Sequence, residues 1–186
     1  RLNDQGIKTP FIIHYPNILK NNSISKSLIS SIDIAPTILD LANIEIFESF
    51  QGKSFLEIIE KPDLKFRNYV FAEHNWHDYE SYQRMVRNDN YLYIRNSRTQ
   101  FPQVGPLDAI NSPTYIDLKN ANEMILKKII DLSEKNNSIS LKQAEIFLKP
   151  RPHEELYDMN NDPYQFNNLL LNDNIPDDFK ILQNIL

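Results

Sequence analysis

The 186 residues carry 20 Lys and Arg against 25 Asp and Glu, a formal net charge of −5, with 41% hydrophobic and 24% charged residues. These values suit a globular chain and exclude a disordered acidic tail, and the acidic balance argues against a nucleic-acid binder, whose footprint is a basic excess. Cysteine is absent, which excludes disulfides, thiolate metal ligands and a cysteine nucleophile within these residues, and no stretch approaches the roughly 20 apolar residues of a membrane span.

Position 1 is Arg and the apolar run Phe11–Tyr15 starts only ten residues in, so the chain reads as a piece of a longer polypeptide. No basic region followed by an apolar run marks a signal peptide at this end. Thr9 to Pro16 is short, nearly continuous in apolar residues and bounded by prolines, which predicts a strand buried on both faces of a largely parallel sheet. A polar loop follows over 17–27. Asp33 is placed to cap a helix whose first turn takes Pro36 and whose Ile34, Ile38 and Leu41 are spaced to line one buried stripe. Ser54 with Glu57 fits a capping box for a short helix that must end before Pro62.

From Asn68 the period changes to two. Tyr69 to His74 reads as a strand, and two more, Gln83–Arg87 and Tyr91–Arg95, flank Asn88-Asp89-Asn90, a turn of residues that tolerate positive φ. In the last of these strands Leu92 and Ile94 are expected to face a core, and Tyr91, Tyr93 and Arg95 to face outward. Residues 97–113 read as a proline-punctuated loop, 120–134 and 140–148 as helices, 154–159 as a last strand, 160–163 as a turn and 177–186 as an amphipathic helix. The predicted fold class is therefore α/β: residues 1–62 as the end of an α/β domain, then 63–186 as a small α+β subdomain with an antiparallel sheet and packed helices.

Several segments in this order resemble the C-terminal portion of the sulfatases, in the alkaline-phosphatase-like superfamily. They are Gly6 to Ile13, Ser31-Ile32-Asp33-Ile34-Ala35-Pro36-Thr37, Gln51-Gly52-Lys53-Ser54-Phe55, Glu155-Leu156-Tyr157-Asp158, and Asn161-Asp162-Pro163 with Asn168-Leu169. Phe71-Ala72-Glu73-His74-Asn75-Trp76-His77-Asp78, Asn111 to Tyr115 and Arg151 to Tyr157 are most similar to the heparan N-sulfatase (sulfamidase) branch. The resemblance implies hydrolysis of sulfate ester or sulfamate groups on sugars. The nucleophile would be a formylglycine made from Cys or Ser in a Cys/Ser-x-Pro-x-Arg motif, with a calcium ion neutralising the sulfate oxygens. The sequence departs from that pattern: it has no Cys and no Ser-x-Pro-x-Arg, and the family's paired aspartates and later Asp-Asn/His-Gly metal segment are missing. No catalytic and no metal-binding residue is therefore assigned to these residues. Formylglycine and calcium are expected in the full-length enzyme only, and this segment is expected to be inactive alone.

By the same resemblance the segment is expected to close one side of the sugar pocket. The candidates for substrate binding are His74, Trp76, His77 and Asp78 at the end of a predicted strand, where imidazoles donate to sugar hydroxyls or sulfate oxygens and an indole face stacks on a sugar. Arg84, nearest the histidines among Arg84, Arg87, Arg95 and Arg98, joins them as an anion-binding candidate; the other three read as a solvated face balanced by Glu80 and Asp89. The Asp33 helix and Glu155–Asp158 read as structural. The partners implied are a sulfated saccharide and the N-terminal part of the same chain, and the compartment implied is periplasmic or extracellular. Two other readings compete: a phosphoesterase or phosphotransferase of the same superfamily, and a non-catalytic glycan-binding module.

Overall fold

The computed structural model describes residues 2–16, 23–102, 105–130, 147, 150–171 and 175–186. Its centre is a four-stranded antiparallel meander in the order β1 (Val70–Trp76), β2 (Glu80–Arg87), β3 (Tyr91–Asn96) and β4 (Glu154–Asp158). Phe71 pairs with Val86, Val86 with Tyr93, and Tyr93 with Leu156, so these four residues form one row across a single face.

Val86, Tyr93 and Leu156 of that row lie in a core completed by Leu182 of the closing helix, with Leu169, Leu170 and Phe179 packed against it, whereas Phe71 on the edge strand is exposed. Tyr93, expected to face outward, is fully buried there, its ring edge-on to Phe179 at 5.6 Å between centroids. Period-two alternation marks which residues share a face but not whether the second face is also covered. The opposite face holds Met85, Leu92, Ile94 and Tyr157 against Leu2 and Ile7. The short helix α1 (Asp4–Ile7) is fixed to this face by Arg87, whose Nη1 donates to both Asp4 carboxylate oxygens at 2.5 and 2.7 Å.

The β2–β3 turn is an Asx turn: Asn88 Oδ1 accepts from the amides of Asn90 at 2.9 Å and Tyr91 at 2.7 Å. The turn is made without a positive φ at any of its three residues; among the described non-glycine residues, Asn43, Tyr82 and Gln165 adopt one.

Before the sheet, α2 (Ile34–Leu41) and α3 (Leu56–Glu60) are short helices. Phe55, Ile58 and Ile59 form a third core with Ile29 and Phe66. Asp33 ends a single helical turn (Ser31–Asp33) and occupies the N-cap position of α2 as expected, but its side chain makes no capping hydrogen bond to α2 and instead closes a capping box with Ser30. Fully buried, its carboxylate accepts from the amides of Ser30 and Lys53, each at 2.9 Å, and from both Nε and Nη2 of Arg67. Burial opposes its ionisation, yet the Arg67 hydrogen bond and the two amides hold its pKa below the ordinary value of 3.8. The approach of the 51–54 loop requires Gly52, because a Cβ there would lie 1.9 Å from the Ile32 carbonyl oxygen.

Other expectations are corrected here. The buried residues of α2 are Pro36 and Thr37, while Ile38 of the expected stripe is 59% exposed, because α2 is held through Asp33 and Thr37. Ser54 accepts from the Leu56 amide at 3.3 Å and donates to Asp40 at 2.5 Å, and Phe55, not Ser54, occupies the N-cap of α3. Phe11–Tyr15 forms no strand, since no strand runs beside it among the described residues. The loop before the long helix contains α4 (Leu107–Ile110), and α5 (Pro113–Ile130) starts seven residues earlier than expected. Ser112 accepts the Tyr115 amide at 3.2 Å with Pro113 at the first helical position, a better start signal than the later apolar pattern. The expected helix over 140–148 lies outside the described residues apart from 147. The chain closes with α6 (Asp178–Ile185), where an amphipathic helix was expected.

Candidate saccharide site at the β1–β2 hairpin

β1 carries His74 and Trp76 and runs into His77-Asp78-Tyr79, the hairpin tip, before β2 begins at Glu80. Strand alternation separates these residues by face. His74 pairs with Gln83 and shares a face with Ala72 and the Met85 core, whereas Glu73, Asn75 and Arg84 lie on the other.

At the tip, His77 Nδ1 is 3.1 Å from Asp78 Oδ2, and the same oxygen accepts the Leu107 amide at 2.6 Å. Asp78 therefore ties the hairpin to the start of α4 and orients the imidazole together. The Leu107 hydrogen bond, with His77 adding to it, holds the Asp78 carboxyl below the ordinary carboxylate value. The neutral tautomer protonated at Nδ1 donates to Asp78 and leaves Nε2 as the acceptor, on a side chain 69% exposed. Trp76 is 67% exposed, so it is no core residue and its indole is accessible to solvent.

His74 points the other way, into the sheet. Its Nδ1 is buried and accepts or donates no hydrogen bond within the described residues. Burial pushes its pKa down, the nearby charges of His77 and Arg151 act in the same direction, and the Gln83 side chain opposes them. Beside it runs a buried polar chain: Gln83 Nε2 donates to Asn96 Oδ1 at 2.5 Å, Asn96 Nδ2 to Glu155 Oε1 at 2.6 Å, and the Tyr157 hydroxyl to Glu155 Oε2. That chain locks β2, β3 and β4 together beneath the hairpin.

Arg84 is separated from the histidines. Its Nη1 donates to Asn75 Oδ1 at 2.6 Å and the Gln83 carbonyl at 2.8 Å, and its Nη2 lies 3.3 Å from Glu73. The structure joins His77 to Asp78, leaves Trp76 exposed next to them in the chain, places His74 on the Met85 face of the sheet and puts Arg84 on the opposite face. Sequence reasoning missed the Leu107 amide, 29 residues from Asp78, for which the sequence carries no local signal.

Among the described residues, no group of three or more His, Asp or Glu side chains is arranged to hold a metal ion. With Cys and Ser-x-Pro-x-Arg also absent from the sequence, these residues do not fit a calcium or formylglycine site.

Comparison with known proteins places the chain. The family model described as N-sulphoglucosamine sulphohydrolase, C-terminal, matches residues 1–100, which contain the whole hairpin. An ulvan-active sulfatase of Formosa agariphila is 30% identical over 173 residues, covering 91% of this chain and 30% of that protein. N-acetylglucosamine-6-sulfatase of Bos taurus is 28% identical over 172 residues, covering 91% of this chain and 27% of its own length. A structure solved in complex with its substrate D-glucosamine-2-N,6-O-disulfate superposes over 94% of this chain and 26% of that one, with a TM-score of 0.59 at 20% identity, a likeness of fold. The chain spans less than a third of the length of the curated relatives. The extent of the family match, over half of these residues, shows that the chain belongs to the N-sulphoglucosamine sulphohydrolase family, to its C-terminal region.

Proposed function

We propose that this chain is the C-terminal part of a sulfatase that hydrolyses sulfate ester or sulfamate groups on sugars, N-sulfated glucosamine being the favoured substrate. The observation that carries the reading is the family match over residues 1–100, because it includes the hairpin tip that carries Trp76, His77 and Asp78. The nucleophile and the metal are assigned to the rest of the polypeptide, where formylglycine and calcium would supply the attack on sulfur and neutralise its oxygens. The present residues bind and orient. Trp76 offers a flat apolar surface to a pyranose ring. His77 Nε2 accepts from a sugar hydroxyl when neutral and donates to a sulfate oxygen when protonated, and Asp78 fixes the plane of that ring. The sulfatases among the relatives support release of sulfate over release of phosphate. The family habit of export makes a periplasmic or extracellular location our reading of the compartment.

The test is sulfate release from D-glucosamine-2-N,6-O-disulfate by the complete native polypeptide, followed by ion chromatography. Sulfate is expected, and His77→Ala is expected to raise KM about tenfold, the value of one charge-assisted hydrogen bond of roughly 1.4 kcal/mol, with a smaller effect on kcat. Release of phosphate from phosphorylated sugars instead would establish the phosphoesterase reading. Sugar binding with neither product would establish the binding module.

A further inference from the structure

Beside the tip, the pairing of β1 with β2 slips. His74 pairs with Gln83 but Trp76 pairs with Glu80, so β2 carries one extra residue there, a β-bulge. Within the bulge Tyr82 has a φ of 48°, a conformation that an L side chain rarely adopts and that Gly or Asn would fill with less strain. The side chain does not recover that cost by burial, since Tyr82 is 40% exposed. The bulge is held in place from behind: Ser97 donates its amide to the Tyr82 carbonyl at 3.0 Å. An exposed aromatic side chain kept in a strained backbone and locked from below points to use of the ring itself.

The Arg98 guanidinium carbon lies 5.1 Å from the Tyr82 ring centroid. Its Nε donates to Glu80 Oε1 at 2.7 Å, which fixes the plane. Its Nη groups make no hydrogen bond or ion pair among the described residues, on a side chain 46% exposed. Beneath them the buried Arg151 donates from Nη2 to the Arg98 carbonyl at 3.0 Å and to the Ser81 carbonyl at 3.4 Å, adding a second positive charge under the same surface. Glu80 is the acidic group that faces the pair, and it occupies Nε alone.

We propose that Tyr82 and Arg98 form a second saccharide subsite, apart from Trp76 and His77, that takes a neighbouring sulfated or carboxylated sugar unit of an oligosaccharide. The free edge of the Tyr82 ring contacts the sugar, and the Arg98 Nη groups hold its anionic substituent by a two-pronged hydrogen bond. This subsite rests on the saccharide reading of the chain but not on catalysis.

The experiment is isothermal titration of a heparin-derived tetrasaccharide, with the monosaccharide D-glucosamine-2-N,6-O-disulfate beside it, into the complete native polypeptide at one fixed salt concentration. Sulfate release is followed in parallel. Wild type is expected to bind the tetrasaccharide more tightly than the monosaccharide. Tyr82→Asn, which suits the positive φ, and Arg98→Gln are each expected to weaken tetrasaccharide binding at least fivefold and to narrow the gap to the monosaccharide, whereas Tyr82→Phe retains it. Tetrasaccharide affinity equal to that of the monosaccharide in wild type overturns the subsite, as does unchanged tetrasaccharide affinity in both Tyr82→Asn and Arg98→Gln. Tight, Tyr82-dependent binding without sulfate release upholds the subsite and sinks the sulfatase reading.

Discussion

The Asp33 carboxylate is buried and fully engaged by hydrogen bonds. It closes a hydrogen-bonded hub that joins the turn before α2, the loop at Lys53 and the segment at Arg67. The sequence shows an acid before a helix and suggests a cap. The pairing with Arg67, 34 residues away, is set by tertiary packing and leaves no local mark. Breaking a buried pair typically costs roughly 3–5 kcal/mol, and because 18% of the Arg67 side chain stays exposed the lower end, about 3 kcal/mol, is expected for Asp33→Asn. The folded-state pKa of Asp33 is depressed below its ordinary 3.8, so the ionised form's contribution is fully present above about pH 4 and is lost as pH falls through the folded value. Urea unfolding of the native polypeptide at pH 7 and at pH 3 checks both: the gap between wild type and Asp33→Asn should be widest at pH 7 and shrink at pH 3. A gap independent of pH would contradict the hub. The site was legible to a similar depth. The adjacency of His77 and Asp78 is written in the sequence, whereas the burial of His74, the diversion of Arg84 to Asn75 and the strain at Tyr82 follow from strand faces and from one bulge that no residue type announces.

The elements of the sheet were read most easily. Strands β2, β3 and β4, the Asn88–Asn90 turn and the closing helix α6 all lie within a few residues of where alternation, turn chemistry and capping put them. What alternation does not carry is how many layers cover a sheet, so Tyr93 was assigned to solvent although α6 seals that face. Its burial and its hydrogen bond with Glu154 push the Tyr93 phenol up to about 12, so it stays protonated across the physiological range. Leu182 is the fully buried residue of α6 within this core. Leu182→Ala is expected to cost about 2–5 kcal/mol through lost burial and a residual cavity. Hydrogen exchange at the amides of β3 and β4 would then speed up while that of α2 stays as in wild type. Equal acceleration in both regions would mean that the sheet and the N-terminal helices unfold as one unit.

At the scale of the whole molecule, many apolar side chains are left exposed, among them a set that precedes the sheet. Ile12 is 90% and Phe47 64% exposed, and Phe11, Ile32, Ile38 and Ile44 are exposed as well. Phe11, Ile12, Ile13 and Tyr15 of the expected strand and Ile34 and Ile38 of the expected α2 stripe are among the exposed residues, so the apolar pattern was legible while its partner was not among the described residues. Exposed apolar area of this kind marks an interaction surface, and the share of the curated relatives that this chain spans suggests that the rest of the same polypeptide covers it. The most direct measurement is therefore the intact mass and peptide map of the protein from its native source. A mass near three times 21.9 kDa is expected, with an upstream peptide whose Cys or Ser has become formylglycine. A native polypeptide of 21.9 kDa beginning at Arg1 would contradict it.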